Sequence, residues 1–475
     1  MNSFQIECFK SVLKSSSKGE NLMISPLSIY HILSLIANGS LGDTKKEMLS
    51  TLGDKNQEEM NKINKLISSI INNFKTVEFA NSIFSKEKPL STFIENTKEN
   101  YKAHIDELKD ANQINKWCDY ATHGLIPKII EVIPPDYLMV LINAIYFKGI
   151  WKIQFNQRFT EKREFFNFQN EKILTDFMYS EEKYNYFEND LIQAISLDYQ
   201  KDNMEALIIL PKDNDINQYI NKFNQDEYNN IINKLNNQKV KLYLPKFKMK
   251  YQTYLEETLK ELGIKLAFNP DKADFSSMIK TDKNKFYINR IVHSTFIRVD
   301  EKGTEAAAVT VVKFRGRESR PGRNIIMDIN HPFLFIIRSK DLPSGHDILF
   351  ISKVENLNEE NEIKESKEAT DLNTLECINI SFNRPVKWYM YFIKLILKTR
   401  DNIDVRARPM GAGKAISVVE ALKKLGYITY GKYYTTTQVI EGKIKRFIFI
   451  NIKKTKDFQK LFDEREAERK KILNK

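Results

Sequence analysis

The run from Asp300 to Thr310 limits most strongly what this chain can fold into. It reads D-E-K-G-T-E-A-A-A-V-T, and after its glycine it contains only small or β-branched residues apart from one charge, Glu305. Such residues suit a strand that is packed on both faces. Residues 313–323 then read K-F-R-G-R-E-S-R-P-G-R, which is typical of an exposed basic loop. The segment predicts either a strand that ends in a long surface loop or one that lies outside its sheet and can enter it later.

This run resembles the reactive-loop hinge of the serpins, and further segments resemble serpin motifs in the expected order. Residues 21–28 read N-L-M-I-S-P-L-S, similar to the family's N-F-x-x-S-P-x-S signature. Other similar blocks are 38–48, 80–84, 114–126, 141–155, 244–247, 262–264, 273–278 and 331–335. The resemblance covers residues 1–357; Ser352 and Leu357 depart from it, since the family usually has Gly and Pro there. It implies an α+β serpin fold with three β-sheets, surrounding helices and an exposed reactive loop.

Length and composition indicate a multidomain globular protein without a membrane span. A chain of 475 residues exceeds one ordinary core, and it has no apolar run near the length that crosses a bilayer. Residues 1–10 have no apolar core typical of a secretory signal. Three scattered cysteines form no disulfide framework. These features predict an intracellular protein, cytoplasmic, nuclear or both.

The sequence predicts no cofactor, no metal site and no enzyme activity. The six histidines lack metal-ligand spacing, and no G-x-S-x-G nucleophile elbow occurs. The turn at 411–414 reads G-A-G-K, but Arg408 and Ala415 stand where a phosphate-binding loop needs Gly and Ser or Thr.

Charge is distributed unevenly and marks a domain boundary. Residues 375–475 carry 23 Lys and Arg against 10 Asp and Glu, a net charge of +13. Residues 355–374 carry 2 against 7, a net charge of −5, and contain few apolar side chains. We therefore predict a serpin domain (1–355), an acidic disordered linker (356–376), a second domain (377–456) and a charged helical tail (457–475).

The second domain alternates between strand and helix patterns in the order β-α-β-α-β-β, which predicts a small α/β sandwich. Its residues resemble the Alba family of nucleic-acid-binding proteins over about 378–454. Residues 384–389 read R-P-V-K-W-Y, similar to the family's K-P-x-x-x-Y, and residues 413–417 read G-K-A-I-S, similar to G-R-A-I-S. Lys414 replaces the usual Arg.

The Alba resemblance and the basic charge together predict that this domain binds RNA or DNA, and the resemblance also allows it to dimerise. The residues that the resemblance places at the nucleic acid, with two neighbouring arginines, are Arg384, Lys387, Arg406, Arg408, Lys414, Lys443, Lys445 and Arg446.

The serpin resemblance assigns three groups of functional residues. The hinge comprises Glu301, Gly303, Thr304, Glu305, Ala306, Ala307 and Ala308. A polar cluster beneath the opening of the central sheet, the shutter, comprises Ser25, Ser28, Asn143 and His293. In the family, a protease attacks the loop sixteen positions after the Glu that precedes Lys-Gly-Thr, which gives the bond between Arg317 and Glu318. The long basic loop leaves Arg315 and Arg320 as competitors.

The predicted function is suicide-substrate inhibition of a trypsin-like, Arg-specific serine protease by the first domain. Every second loop residue from Thr304 to Val312 is small or β-branched and uncharged, as insertion into a sheet requires. A non-inhibitory serpin fold, used as a binding or chaperone module and localised by the basic domain, remains the alternative. A third interpretation is that the sequence joins two adjacent genes through a mistaken gene model.

Overall fold

The computed structural model describes the backbone of residues 3–463 except 17–18, 214, 281–285, 305–324, 358–376, 381–388, 391–392, 395, 398–400, 408–411 and 441–442. Side chains at 98–99, 377, 379–380, 437–440 and 443–446 are not described. The chain forms two compact units, residues 1–363 and 364–475.

Nine helices are described in the first unit. They are α1 (Phe4–Ser15), α2 (Pro26–Gly39), α3 (Gly42–Leu52), α4 (Gln57–Ile71), α5 (Ser91–Asn100), α6 (Ala111–Ala121), α7 (Ile216–Lys222), α8 (Gln225–Lys234) and α9 (Glu256–Leu262). Side-chain caps fix several starts: Asn56, Asp110 and Asn224 each accept a hydrogen bond from a backbone amide in the first turn. Two 3₁₀ turns, Gln157–Phe159 and Leu266–Phe268, lie in connections.

Helix α2 begins on a proline, and its start contributes to the functional site. Pro26 occupies the first turn, where a missing N–H does no harm, and the Ser25 side chain accepts a hydrogen bond from the Ser28 amide. All residues of α2 except Asn38 are buried, so this helix lies inside the unit.

The strands of the first unit follow the chain from β1 to β16. They are β1 (Leu22–Ile24), β2 (Val77–Ser85), β3 (His104–Glu107), β4 (Met139–Phe147), β5 (Gly149–Ile150), β6 (Glu161–Phe166), β7 (Lys172–Glu188), β8 (Ile192–Asp198), β9 (Met204–Pro211), β10 (Asn236–Pro245), β11 (Phe247–Tyr254), β12 (Arg290–Asp300), β13 (Gly303–Thr304), β14 (Ile325–Asp328), β15 (Phe333–Ser339) and β16 (Ile348–Val354).

The main sheet has the order β3-β2-β4-β12, with β11 also paired to β12 and the short strands β13 and β5 at one end. Strand β4 is buried along its whole length because both faces are covered. On one face its side chains join the large core that contains Leu141, Ile145 and Phe147. On the other face Val140 and Ile142 pack against α6 through Ile114.

The remaining strands form a second hydrogen-bonded sheet in the order β1-β16-β15-β9-β8-β7-β10-β14, with β6 also paired to β7. Its 17-residue strand β7 joins two groups, because it pairs with β6 and β10 along most of its length and with β8 at its end. If the strands on the two sides of β7 are counted as two sheets, they and the main sheet make three sheets, the number that the sequence predicts.

The second unit contains a four-stranded sheet in the order β17-β18-β20-β19. Its strands are β17 (Cys377–Ile380), β18 (Asn402–Ala407), β19 (Ile428–Ile440) and β20 (Lys443–Lys454). Helix α10 (Ala412–Lys424) precedes β19, and residues 389–390, 393–394 and 396–397 are helical. The β17–β18 pair is parallel and the other two pairs are antiparallel.

Candidate functional site

The hinge begins after β12, where the chain reverses direction, and its residues Gly303 and Thr304 enter the main sheet as β13. Gly303 and Thr304 pair antiparallel with Asp300 and Val299, and they also pair antiparallel with Ile150 and Gly149 of β5. A side chain on Gly303 would lie 2.0 Å from the Gly149 carbonyl oxygen, so the close approach of these backbones requires glycine.

Thr304 is completely buried in an aromatic pocket. Its hydroxyl lies 2.8 Å from the hydroxyl of Tyr199, which is itself buried. The Tyr199 ring stacks on Trp151 with a centroid distance of 4.4 Å, and the Trp151 indole N–H donates to the Asp300 carbonyl at 3.0 Å. The pocket therefore holds both ends of the turn that leads into the reactive loop.

Glu301 joins the turn to neighbouring elements through its carboxylate. Oε1 accepts hydrogen bonds from the Thr160 hydroxyl at 2.8 Å and from the Lys246 ammonium at 3.1 Å. Burial alone would raise the pKa of Glu301, but its own backbone amide, Thr160 and Lys246 together lower it. The ionised carboxylate thus fixes the hinge end of the loop against the start of β11.

Strands β4 and β12 pair in parallel from Val140–Arg290 to Tyr146–Phe296, and this parallel seam is the line along which a new strand could enter. The strand β13 is antiparallel both to β12 and to β5, and β5 follows β4 after a single residue. A strand continuing from β13 would therefore run antiparallel to both sides of the parallel seam, with one strand edge on each side to accept its hydrogen bonds.

The four residues predicted to form the shutter lie in contact with one another at the parallel seam. His293 Nδ1 lies 2.5 Å from Asn143 Oδ1 across the seam, and Asn143 Nδ2 donates to the Ser28 hydroxyl at 2.6 Å. The Ser25 amide donates to His293 Nε2 at 3.0 Å. Because Nε2 accepts, the proton is on Nδ1, which donates to Asn143. The side chains of Ser25, Ser28, Asn143 and His293 are all fully buried.

Burial keeps the shutter histidine uncharged. It lowers the pKa of His293 to about 3, so the neutral ring persists at physiological pH. A neutral ring is required here, since an imidazolium could not accept the Ser25 amide. Separating β4 from β12 breaks the His293–Asn143 hydrogen bond, which makes this cluster a local restraint on sheet opening.

Several predicted residues lie outside the described part of the chain. These are the hinge residues Glu305, Ala306, Ala307 and Ala308, the candidate bond Arg317–Glu318 with its competitors Arg315 and Arg320, and the basic residues Arg384, Lys387 and Arg408. For Lys443, Lys445 and Arg446 only the backbone is described, in the first residues of β20.

Two predicted nucleic-acid-binding side chains are described. Lys414 lies half-buried in the first turn of α10. Arg406 lies on β18, and its guanidinium is 4.8 Å from the centroid of the Phe447 ring and 6.0 Å from that of Phe449. Within the described residues, no three His, Cys, Asp or Glu side chains cluster as a metal site would require.

Sequence reasoning missed the residues that hold the hinge from outside it. Trp151 and Lys246 lie in serpin-like blocks, so their importance could have been inferred, but nothing in the local sequence marks Tyr199 or Thr160. Their roles depend on contacts across more than fifty positions of sequence, which only the fold brings together.

Comparison of the sequence with known proteins assigns the first unit to one family. Residues 1–357 match the family model described as "Serpin (serine protease inhibitor)". Human Serpin B8 is 32% identical over 354 residues, covering 70% of this chain and 93% of the relative. An uncharacterised serpin-like protein of Methanosarcina acetivorans is 32% identical over 372 residues, covering 74% of this chain and 84% of the relative.

Solved structures agree with the sequence relatives. The native state of a thermophilic serpin, tengpin, has a TM-score of 0.69 and 34% identity, covering 75% of this chain and 92% of that chain. Serpin48 of the insect Tenebrio molitor has a TM-score of 0.67 and 28% identity, covering 75% of this chain and 97% of that chain. The fold of the first unit is thus that of the serpins, which are protease inhibitors rather than enzymes. The chain belongs to the serpin family.

No helix in the described part of the chain is both long enough and apolar enough to cross a membrane.

Proposed function

We propose that the first unit inhibits an Arg-specific, trypsin-like serine protease by inserting its cleaved loop into the parallel seam. The observation that carries this proposal is the pairing of Gly303 and Thr304 with both neighbouring strands. Two loop residues already occupy the position of the new strand, so their pairing defines a register for the rest.

That register matches the chemistry of the loop. Continuing the β13 pairing places Ala306 beside Ile297 and Phe147, Ala308 beside Thr295 and Ile145, and Thr310 beside His293 and Asn143. Side chains of directly paired residues point to the same face of a sheet.

The strand residues on that face belong to or adjoin the buried core, as the positions of Ile145, Phe147 and Ile297 show. The loop residues that would join them are small or β-branched and carry no charge. Thr310 would enter between the two residues of the shutter hydrogen bond and could bond to either. Roughly fifteen inserted residues would add about 50 Å of strand.

Trypsin tests the inhibitory proposal. The full chain should form a covalent complex with trypsin that survives SDS, and Arg317→Glu should abolish it. Arg315→Glu and Arg320→Glu are matched controls that change the same charge within the same loop, and they should leave the complex intact. A wild-type chain that is cleaved without forming a complex is a substrate, which contradicts inhibition. If the complex is lost only in Arg320→Glu or only in Arg315→Glu, the reactive bond follows that residue instead of Arg317.

The proposal for the second unit is that it is an Alba-like domain that binds RNA or DNA in an intracellular compartment, as a monomer or a dimer. Its support is the net charge of +13 over residues 375–475, together with Lys414 at the start of α10 and the basic residues at the β19–β20 end. Cations near a helix start favour phosphate binding.

Salt dependence tests this second proposal. The full chain should bind a labelled oligonucleotide with an affinity that falls steeply with salt, and Lys414→Ala should weaken binding and reduce the salt slope by about one unit. Lys62→Ala, in the serpin unit, is the matched control. Detection of a full-length protein of 55.7 kDa in cells excludes the joined-gene interpretation. Absence of salt-dependent binding removes the nucleic-acid proposal.

A further inference from the structure

The sheet of the second unit has two chemically different faces. On one face Val405, Ile450 and Ile452 are fully buried, together with the apolar residues of α10. The alternate residues of the same strands point to the opposite face, where Asp404 pairs with Asn451 and Arg406 pairs with Phe449. This second face, defined here as the aromatic face, also carries Tyr434, which pairs directly with Phe449.

Tyr434 presents a flat ring to solvent on the aromatic face. Its ring is stacked on Phe449 with an interplanar angle of 8° and a centroid distance of 4.8 Å. The side chain is nevertheless 43% exposed, whereas Phe449 beneath it is 7% exposed. One side of the Tyr434 ring therefore contacts Phe449, while part of the residue's surface remains exposed to solvent.

Hydrogen bonds hold that ring in its orientation. The Tyr434 hydroxyl donates to Asp404 Oδ2 at 2.6 Å, across the intervening strand β20. Asn451 Nδ2 donates to Asp404 Oδ1 at 2.6 Å, so both carboxylate oxygens are engaged. Gly431 leaves the space that the Asn451 side chain occupies, since a Cβ there would lie 2.1 Å from Asn451 Oδ1. The tyrosine is thus fixed at both its ring and its hydroxyl before any ligand binds.

We infer that the aromatic face binds single-stranded nucleic acid by stacking an unpaired base on Tyr434, an inference that rests on the proposed nucleic-acid binding of the second unit. Nucleobases stack on exposed aromatic rings, and a ring fixed in advance loses little conformational entropy on binding. Bases within a duplex have their faces covered by neighbours, so this contact selects unpaired strands.

Charge on the aromatic face agrees with a nucleic-acid occupant. Arg406 lies two residues from Asp404 on the same strand and the same face, with its guanidinium over the Phe447 ring at 4.8 Å. A cation held over aromatic rings beside the Tyr434 platform can pair with the phosphate that follows a stacked base. The Asp404 carboxylate on this face has its charge partly satisfied by its two donors. The excess of 13 positive charges over residues 375–475 favours a polyanion over an apolar partner.

Neighbouring tyrosines provide a matched pair of variants. Tyr433 is 56% exposed but pairs with Ile450, so it lies on the opposite face from Tyr434. Tyr434→Leu removes the stacking ring, Tyr434→Phe keeps the ring and removes only the hydroxyl, and Tyr433→Leu removes an equally exposed tyrosine from the other face. Circular dichroism and thermal unfolding of each full-length variant check that the second unit remains folded.

The test measures fluorescence anisotropy of labelled 20-nucleotide oligo(dT), 20-nucleotide oligo(U) and a 20-base-pair DNA duplex with the full chain. We expect Tyr434→Leu to weaken binding to at least one of the single strands about tenfold, the loss of roughly one stacked base, and to change duplex binding less than twofold. Tyr434→Phe and Tyr433→Leu should stay within about threefold of wild type on every probe. A loss with oligo(dT) alone or with oligo(U) alone shows which of these two strands stacks on Tyr434.

Three outcomes overturn the stacking inference. They are equal losses in Tyr433→Leu and Tyr434→Leu, equal losses on single strands and duplex, and no loss in Tyr434→Leu. In each of these cases salt-dependent binding by the wild type preserves the proposed function, and only the stacking contact fails. If the wild type binds none of the probes at low salt, the proposed function and the stacking inference fail together.

Discussion

Reversing the charge of Glu305 should impair trapping, because an inserted loop that continued the pairing of Gly303 and Thr304 would place this residue between two cations. Thr304 pairs with Gly149 on one side and Val299 on the other. The next residue of an inserted loop would therefore lie between Lys148 and Arg298. Both of these side chains are exposed, on the face opposite to the buried Thr304. Insertion would place one negative charge between two positive ones.

The size of the effect follows from the geometry of paired strands. Two unit charges about 6 Å apart in water interact by roughly 0.7 kcal/mol, and cross-strand charge pairs contribute about 0.2–1 kcal/mol each. Glu305→Lys turns two attractions into two repulsions, an unscreened change of about 2.8 kcal/mol. Salt screening and the contact between Arg298 and Asp300, at 3.7 Å, reduce it. We expect about 1–2 kcal/mol, which slows insertion roughly 5- to 30-fold.

The assay is the partition between cleaved loop and trapped trypsin, measured by titration and by SDS gels. The ratio of cleaved to trapped inhibitor should rise by the same 5- to 30-fold in Glu305→Lys. Adding Lys148→Glu and Arg298→Glu should restore most of the trapping, because both pairs become attractive again. Glu58→Lys, on α4 outside the sheets, changes the same net charge and should have no effect.

Two results would refute this reasoning. The first is that Glu305→Lys at low salt shows the same ratio of cleaved to trapped inhibitor as the wild type. The second is impaired trapping that the double charge reversal fails to improve, which would show that the loop does not continue the register of Gly303 and Thr304.

Two further predictions concern the buried residues of the site. Thr304→Arg should convert the inhibitor into a substrate, because burying an unpaired guanidinium costs several kcal/mol. Thr304→Ser should still form the SDS-stable trypsin complex. A complex formed by Thr304→Arg would contradict this prediction. Acid should destabilise the first unit, because burial lowers the pKa of His293 to about 3 and of His31 to about 4, below the usual 6.5 of the unfolded chain. The stabilising contribution of each neutral histidine is therefore complete above about pH 6.5 and is lost as the pH falls. At pH 5 the loss in the free energy of unfolding is about 2 kcal/mol for each histidine. Asp54 partly offsets it, because its pKa is raised to about 6 and its protonation stabilises the folded state by about 1 kcal/mol at pH 5. Urea unfolding at pH 7.5 and pH 5 measures this loss of stability. His31→Gln should reduce the loss by about 2 kcal/mol, the contribution of one histidine. Equal stability of the wild type at both pH values would refute the prediction.

Sequence patterns predicted the serpin fold because its motifs are dense and local, whereas the role of the polar cluster as a shutter stays a prediction. The run S-P-L-S at 25–28 contains its own helix cap and helix-starting proline, so its conformation follows from neighbouring residues. The described elements of the second unit follow the predicted order of strands and helices, with α10 (Ala412–Lys424) before the last two strands. The Alba relationship and the individual nucleic-acid contacts stay predictions.

What the sequence could not predict are contacts between distant elements. Nothing near Tyr199 indicates that its hydroxyl meets Thr304, 105 positions away. Nothing near Tyr434 indicates that its hydroxyl reaches Asp404 over an intervening strand. Both tyrosines lie in strand-like sequence where an aromatic residue is unremarkable, and their roles follow from strand order, which residue patterns do not specify.

The hinge geometry also explains how a loop can insert in one register only. A sheet that opened without a preformed start could accept the loop at several offsets, and a shift by one residue would direct Glu305 and Lys313 into the core. Here the missing side chain of Gly303 and the Tyr199–Thr304 contact fix the first two pairs before any cleavage occurs. In the proposed insertion, each later residue would then add to an existing antiparallel ladder. The selection for small, uncharged side chains at alternate loop positions is useful only if this register holds, so the pairing of two residues accounts for the composition of the next eight.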